Sequence, residues 1–311
     1  MPTAFYSHPE CRGHSMGRGH PECPERLDAI ADHLIGTGLD IALEYRDAPL
    51  LDLREAAYAH NSNYVAELRE IMEQVAATGE PRAMDPDTSV HAGTWSAVQR
   101  AAGAAVAATD AVIDGEVSNA FCSVRPPGHH ATRDQAMGFC FLNNVAIAAR
   151  HALDVRGLQR VAVVDFDVHH GNGTEDILAG DERALMVGIF QHPLHPGSGG
   201  VPLGTNMLNL PIPPYTRGPE IRDLIEAHWM PRLEAFRPEM IFISAGFDAH
   251  REDDLGQLGL VEADYEWITQ RIKAVADRHA KGRIVSCLEG GYNLGALARS
   301  VAVHLRVLAE V

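Results

Sequence analysis

The chain has 311 residues, enough for one large α/β domain or two small ones, and its 46% hydrophobic and 22% charged content is ordinary for a globular protein. A formal net charge of −16 argues against non-specific nucleic-acid binding, which needs a basic face, and favours cationic substrates or partners. No apolar run reaches a membrane span and the N-terminus lacks a signal-peptide pattern, while five scattered cysteines without C-x-x-C spacing fit reduced thiols; a cytoplasmic protein with no membrane and no nucleic-acid partner is expected.

In chain order, strands alternate with helices, without a linker or a repeat. Thr3–Ser7 reads as a first strand, and residues 8–24, rich in His, Gly, Pro and Cys, as a loop. Pro24 opens a helix, where its missing N–H costs nothing. Helices follow over 52–59, 61–77 and, by alanine content, Gly93–Val112. Asn119–Val124 is a strand ending in Arg-Pro-Pro-Gly-His-His, with a helix at Asn143–Leu153. The strand from Val161 to Asp165 leads through Phe-Asp-Val-His-His-Gly-Asn-Gly into a helix near 174–179, then a strand at Ala184–Phe190 and a long loop over 191–206. A helix at Pro219–Phe236, a strand at Met240–Ser244, a helix at Glu262–Ala280, a strand at Arg283–Leu288 and a helix at Leu294–Leu308 complete the chain. Such alternation predicts the α/β class, with a mostly parallel sheet covered by helices on both faces, in a single domain over 1–311.

Four predicted strands end in polar clusters: His129/His130, Asp165/Asp167/His169, Asp248/His250 and Tyr292. The carboxyl ends of parallel strands share one edge of the sheet, so all four can face one crevice. Each alone has a plainer reading: a structural His pair, or an Asp that caps a helix. Their coincidence at equivalent points is what suggests a site. Asp165, Asp167 and His169 alternate, so they share one face of extended chain. Asp167, His169 and Asp248 offer two oxygens and a nitrogen, the three-ligand set of a catalytic zinc site with a position left for water. Such a metal lowers the pKa of water to roughly 7 and polarises a carbonyl. His129 and His130 supply a general base and acid, Asp165 orients one of them, and Tyr292, after two glycines, donates to a developing oxyanion. Together these parts describe metal-assisted amide hydrolysis.

Arg125-Pro-Pro-Gly-His-His-Ala, Gly138-Phe-Cys-Phe-Leu-Asn-Asn, Asp165-Phe-Asp-Val-His-His-Gly-Asn-Gly-Thr, Ser244-Ala-Gly-Phe-Asp-Ala and Glu289-Gly-Gly-Tyr-Asn together resemble the zinc-dependent histone deacetylase family, which includes acetylpolyamine amidohydrolases. The likeness runs from the Pro24-Glu-Arg-Leu helix nearly to the C-terminus and is nearest to bacterial, class II-like deacetylases. It implies the three-layer arginase/deacetylase fold around an eight-stranded parallel sheet. It also implies zinc on Asp167, His169 and Asp248, His130 as general base and acid held by Asn172, His129 held by Asp165, and Tyr292 as the carbonyl-polarising phenol. By the same resemblance Gly138 and Phe139 belong to the acyl-lysine channel. His195 stands where relatives place the second aromatic wall, Asp87 counts to a rim carboxylate, and Arg26 lies beneath the metal. Phe139 also fits an ordinary core aromatic, Asp87 a plain loop residue, and Arg26 a structural ion pair. A structural K+ is implied on main-chain oxygens of Asp165, Asp167 and His169, with Gly188 where a serine usually assists.

Leu255 falls at the position where polyamine specialists carry an acidic gatekeeper, which favours an acyl-lysine peptide or protein over an acetylated polyamine as substrate; the net charge pulls the other way. An arginase-type ureohydrolase would need a second set of acidic ligands that these motifs do not supply. A catalytically silent metal-binding interaction protein is the alternative of another class. A homo-oligomer is compatible with the sequence.

Overall fold

A computed structural model describes residues 1–311. Ten strands are formed: β1 (Thr3–Ser7), β2 (Leu43–Asp47), β3 (Arg82–Ala83), β4 (Ser89–Val90), β5 (Asn119–Cys122), β6 (Val161–Asp165), β7 (Ala184–Gln191), β8 (Met207–Ile212), β9 (Met240–Ala245) and β10 (Ile284–Leu288). β3 and β4 form a small antiparallel hairpin; the other eight make one sheet in the order β2-β1-β5-β10-β9-β6-β7-β8. Every pairing in that sheet is parallel.

Its central strands are buried at every position, and they read as unbroken apolar runs such as Val161-Ala-Val-Val and Met240-Ile-Phe-Ile. A parallel strand covered on both faces has no polar side to display. The two strands of the sheet that sequence reading did not assign, β2 and β8, are its edges. Leu-Glu-Tyr-Arg-Asp in β2 buries only Leu43, and β8 carries Asn209 and Pro211, so neither shows the apolar run of the centre. Residues 8–24 include a short turn of 3-10 helix at Pro9–Gly13. The helix expected over 52–59 is confined to Leu53–Ala56.

Two groups of helices flank the sheet. Thr94–Ile113 and Asn144–Arg150 pack on each other and on β5, β9 and β10. Glu25–Thr37, Glu262–His279 and Leu294–Ala309 form the second group. Gly103 lets the 49–51 segment lie against the Thr94–Ile113 helix: a Cβ there would lie 2.1 Å from the Pro49 carbonyl oxygen. No helix is long and apolar enough to cross a membrane. The central strands β5, β10, β9 and β6 are neighbours in that order, and their carboxyl ends carry the polar segments described next.

Candidate active site

β6 and β9 pair in register, with Asp165 opposite Ser244, so the segments leaving them run side by side. Ligand atoms of Asp167, His169 and Asp248 consequently lie within 4.8 Å of one another. Both carboxylates are almost wholly buried. Backbone amides orient them: Val168 N–H donates to Asp248 Oδ1 (2.9 Å) and Gly290 N–H to Asp167 Oδ2 (2.8 Å). His169 Nδ1 stands 3.1 Å from Asp167 Oδ1 and 3.1 Å from Asp248 Oδ2. Glycine is obligatory around them, since a Cβ on Gly246 would lie 2.0 Å from Asp167 Oδ2 and one on Gly290 2.1 Å from Asp248 Oδ2.

Burial, with the Asp167 charge beside it, pushes the Asp248 carboxyl up to about 7. Burial acts against protonation of His169, but hydrogen bonds to Asp167 and Asp248 outweigh it and raise the imidazole to about 10. Two buried acids that close call for a positive charge between them, because buried charges persist only when paired or bound to metal. The donor set of two carboxylates and one imidazole fits zinc.

The segment after β5 brings in the two histidines. His129 Nδ1 is 3.0 Å from Asp165 Oδ2, and His130 Nδ1 is 2.8 Å from Asn172 Oδ1; the ring centroids are 4.0 Å apart. Asp165 thus faces His129 and lies outside the three-residue cluster. Burial disfavours a charged His129, but Asp167 and Asp165 outweigh it and raise its pKa. Burial together with the His129 and His169 charges lowers that of His130. The two rings are thus driven in opposite directions, His129 towards its charged form and His130 towards its neutral one. Gly138, at φ 55°, packs against His130, whose Cδ2 would be 2.4 Å from a Cβ there.

Glu289, which sequence reading quoted in a motif and gave no role, is fully buried and holds this segment. Its Oε2 accepts from Gly128 N–H (2.6 Å) and His129 N–H (3.1 Å). Only the oddity of an acid immediately after an apolar strand signals it in the sequence. Arg26 is fully buried and donates to Gly291 O (2.6 Å), Glu289 O (2.5 Å) and Glu22 Oε1 (3.2 Å). Its guanidinium carbon lies 5.0 Å from the centroid of the Tyr292 ring. Arg26 therefore acts on the backbone around Tyr292 as well as making an ion pair. His250 belongs elsewhere: it is buried with Nε2 3.5 Å from Glu262.

A cavity of about 240 Å³ is lined by His130, His169 and Tyr292 together with Gly138, Phe139, Asp87, Leu194, His195 and Leu255. Phe139 meets the Tyr292 ring edge-on at 5.9 Å, and His195 meets His130 edge-on at 5.3 Å. Asp87 and His195 are exposed, whereas Leu255 is half-buried. Burial and the nearby Asp248 carboxylate raise the Tyr292 phenol well above its ordinary range, so it keeps its proton and can donate. Phe139 adopts φ 70°, rare for a bulky residue, and its N–H donates to Thr88 Oγ1 at 3.0 Å. Asp85 Oδ2 accepts from the neighbouring Gly138 N–H at 3.3 Å. The tip of the β3–β4 hairpin thereby braces one wall of the channel. Gly188 pairs in register with Asp165 and brings no hydroxyl to that position.

A family model described as histone deacetylase domain matches residues 20–308. A probable deacetylase of Archaeoglobus fulgidus is 35% identical over all of this chain and 89% of its own length. The type-2 histone deacetylase 2 of Dictyostelium discoideum is 35% identical over 99% of this chain, which spans 21% of that longer protein. Among solved structures, the HD domain of HDA15 superposes with a TM-score of 0.93 at 31% identity, covering 100% of this chain and 89% of the other. The eight-stranded parallel sheet with its flanking helices is thus the arginase/deacetylase-like fold.

Proposed function

This chain belongs to the histone deacetylase family, and from that premise we propose that it is a zinc-dependent amidohydrolase that removes acetyl or other acyl groups from lysine side chains in peptides or proteins. The observation that carries the reading is the convergence of Asp167, His169 and Asp248 beside His130 and Tyr292 on one cavity. Asp167, His169 and Asp248 would hold the metal. Zinc, when bound, supplies a Lewis acid that polarises a carbonyl and makes water nucleophilic near neutral pH.

The chain's own groups do the rest. With Nδ1 tied to Asn172, His130 turns Nε2 to the channel, where it takes a proton from the attacking water and returns it to the leaving amine. His129, drawn to its charged form between Asp165 and Asp167, offsets the negative charge that develops. Tyr292 O–H donates a hydrogen bond to the carbonyl oxygen as that oxygen becomes anionic. Phe139 presents an apolar ring to the methylene stem of the substrate, and His195 and Leu255 face the same channel.

Leucine at 255 favours a peptide or protein substrate. A second reading, acetylated polyamine, draws on the exposed Asp87 at the channel and the net charge of −16. Zinc analysis of the purified protein, paired with hydrolysis of acetyl-lysine peptides, longer acyl-lysine peptides and acetylated putrescine, cadaverine and spermidine, ranks the two. Zinc-replete protein that cleaves none of them would overturn the enzyme reading in favour of a silent metal-binding protein.

A further inference from the structure

The turn that carries Tyr292 has little of its own to hold it still. It follows Gly290 and Gly291, the latter at φ 121°, and precedes Asn293, which caps the last helix. Glycines leave the backbone free to take several conformations, so the place of the phenol depends on outside contacts. Arg26 supplies one set, on the carbonyl oxygens of residues 289 and 291. Gly290 is tied to Asp167 and Phe247, and a further set, on residues 292 and 293 themselves, comes from Asp253, a residue that the reaction itself does not use.

Asp253 is 5% exposed and lies in the turn between Asp248 and the channel residue Leu255. Its Oδ2 accepts from Tyr292 N–H at 2.6 Å and Asn293 N–H at 2.9 Å. Its Oδ1 accepts from Leu255 N–H at 3.1 Å. One buried carboxylate thus joins two turns, 39 residues apart in the chain, that both line the channel. Hydrogen bonds donated to a carboxylate are roughly twice as strong as those between neutral groups.

We propose that Asp253 is a positioning residue, one that fastens the Tyr292 phenol and the Leu255 wall into a single unit. The proposal rests on the amide-hydrolysis reading of this site. Asp253 touches neither substrate nor the reacting atoms; it acts through Tyr292, by fixing the peptide from which the phenol projects. Misplacing such a donor by about 1 Å can slow turnover about 100-fold.

The test is a double-mutant cycle on the zinc-loaded, full-length protein. Asp253→Ala should lower kcat about 10- to 100-fold, with KM moving less and zinc content unchanged, and Asp253→Asn should fall between. In a Tyr292→Phe background the same Asp253 substitutions should cost less than about 3-fold, because the donor they misplace is already gone. A structural role would slow both backgrounds alike, and that additivity would overturn the proposal. If wild-type protein hydrolyses no acyl amide, the amide-hydrolysis reading fails, and a second measurement still decides the placement of Tyr292. With 3-fluorotyrosine incorporated, the 19F line that Tyr292→Phe removes should broaden or split in both Asp253 variants; an unchanged line would show that Asp253 does not hold this turn.

Discussion

Asn172 Oδ1 stands 2.8 Å from His130 Nδ1, and this contact decides which nitrogen of His130 faces the channel. An amide oxygen accepts and cannot donate, so Nδ1 carries the proton and Nε2 is left as the base. Replacing Asn172 by Leu removes that choice of tautomer and should lower kcat/KM about 10- to 100-fold. Asn172→Asp keeps the contact and adds a negative charge, which favours the imidazolium and raises the pKa of His130. A base must be unprotonated to act, so the acidic limb of the kcat/KM profile should move to higher pH by about one unit or more. An unmoved limb in the Asp variant would remove His130 from the role of base.

Tyr292→Phe removes one hydrogen-bond donor and leaves the ring that Phe139 and Arg26 contact. Loss of a single oxyanion donor typically costs about 100- to 1000-fold in kcat. We expect a loss of that order with zinc content and KM little changed. Turnover at the wild-type rate would take the phenol out of the mechanism.

Asp248→Ala removes one of the three clustered side chains proposed to hold the metal, and Gly290 leaves nothing to fill its place. The variant should come through dialysis without zinc, measured by atomic emission, and should lose hydrolysis with it. Near-stoichiometric metal after dialysis would refute its role as a ligand.

Thr88→Val strips the acceptor from the Phe139 N–H while nearly conserving shape. A buried donor left without a partner costs about 1–3 kcal/mol, set against a residue already in a sparsely populated conformation. KM for an acyl-lysine peptide should rise several-fold with a smaller change in kcat, and Thr88→Ser should restore it. Wild-type KM in the Val variant would mean that the hairpin does not brace the wall.

Two buried histidines outside the Asp167/His169/Asp248 cluster tie stability to pH. His60 Nε2 accepts from Asn143 N–H at 2.9 Å, so the ring is neutral when folded, and burial lowers its pKa to about 4. His304 sits between Thr269 Oγ1 (2.7 Å) and Ser286 Oγ (2.9 Å), and burial lowers it to about 3. Both values lie below the ordinary value of about 6.5 for an unfolded chain. Between those limits the unfolded chain binds more protons, so stability is full above about pH 6.5 and falls as the pH drops, by up to about 1.4 kcal/mol per pH unit for each ring. Urea unfolding of metal-free protein at several pH values should show a shallower slope for His304→Gln than for wild type. Equal slopes would contradict the neutral, buried state of His304.

How much of this was legible in the sequence follows from how far each residue's partners lie along the chain. Val161–Asp165 and Met240–Ala245 show in the sequence because a strand buried on both faces must be apolar throughout. Leu43–Asp47 and Met207–Ile212, at the edges, carry no such run. Asp167, His169, Asp248 and Tyr292 stand out because acids, imidazoles and a phenol follow apolar strands whose ends must share one edge. Glu289, Asp253 and Asp85 stay hidden. Their partners are backbone N–H groups 161, 39 and 53 residues away, and any residue can donate such a bond.

The order of strands also sets when the centre can exist. β10 is the last strand in the chain, yet it lies in the middle of the sheet, between β5 and β9. Until residues 284–288 are in place, the chain can form only two half-sheets, β2-β1-β5 and β9-β6-β7-β8, each with an unpaired inner edge. The His pair belongs to one half and the Asp167/His169/Asp248 triad to the other. A chain without β10 would therefore expose two unpaired inner edges with the His pair apart from the triad; β10, paired to β5 on one side and β9 on the other, closes both edges and brings the two together. A chain cut short before Ile284 should therefore aggregate and hydrolyse nothing.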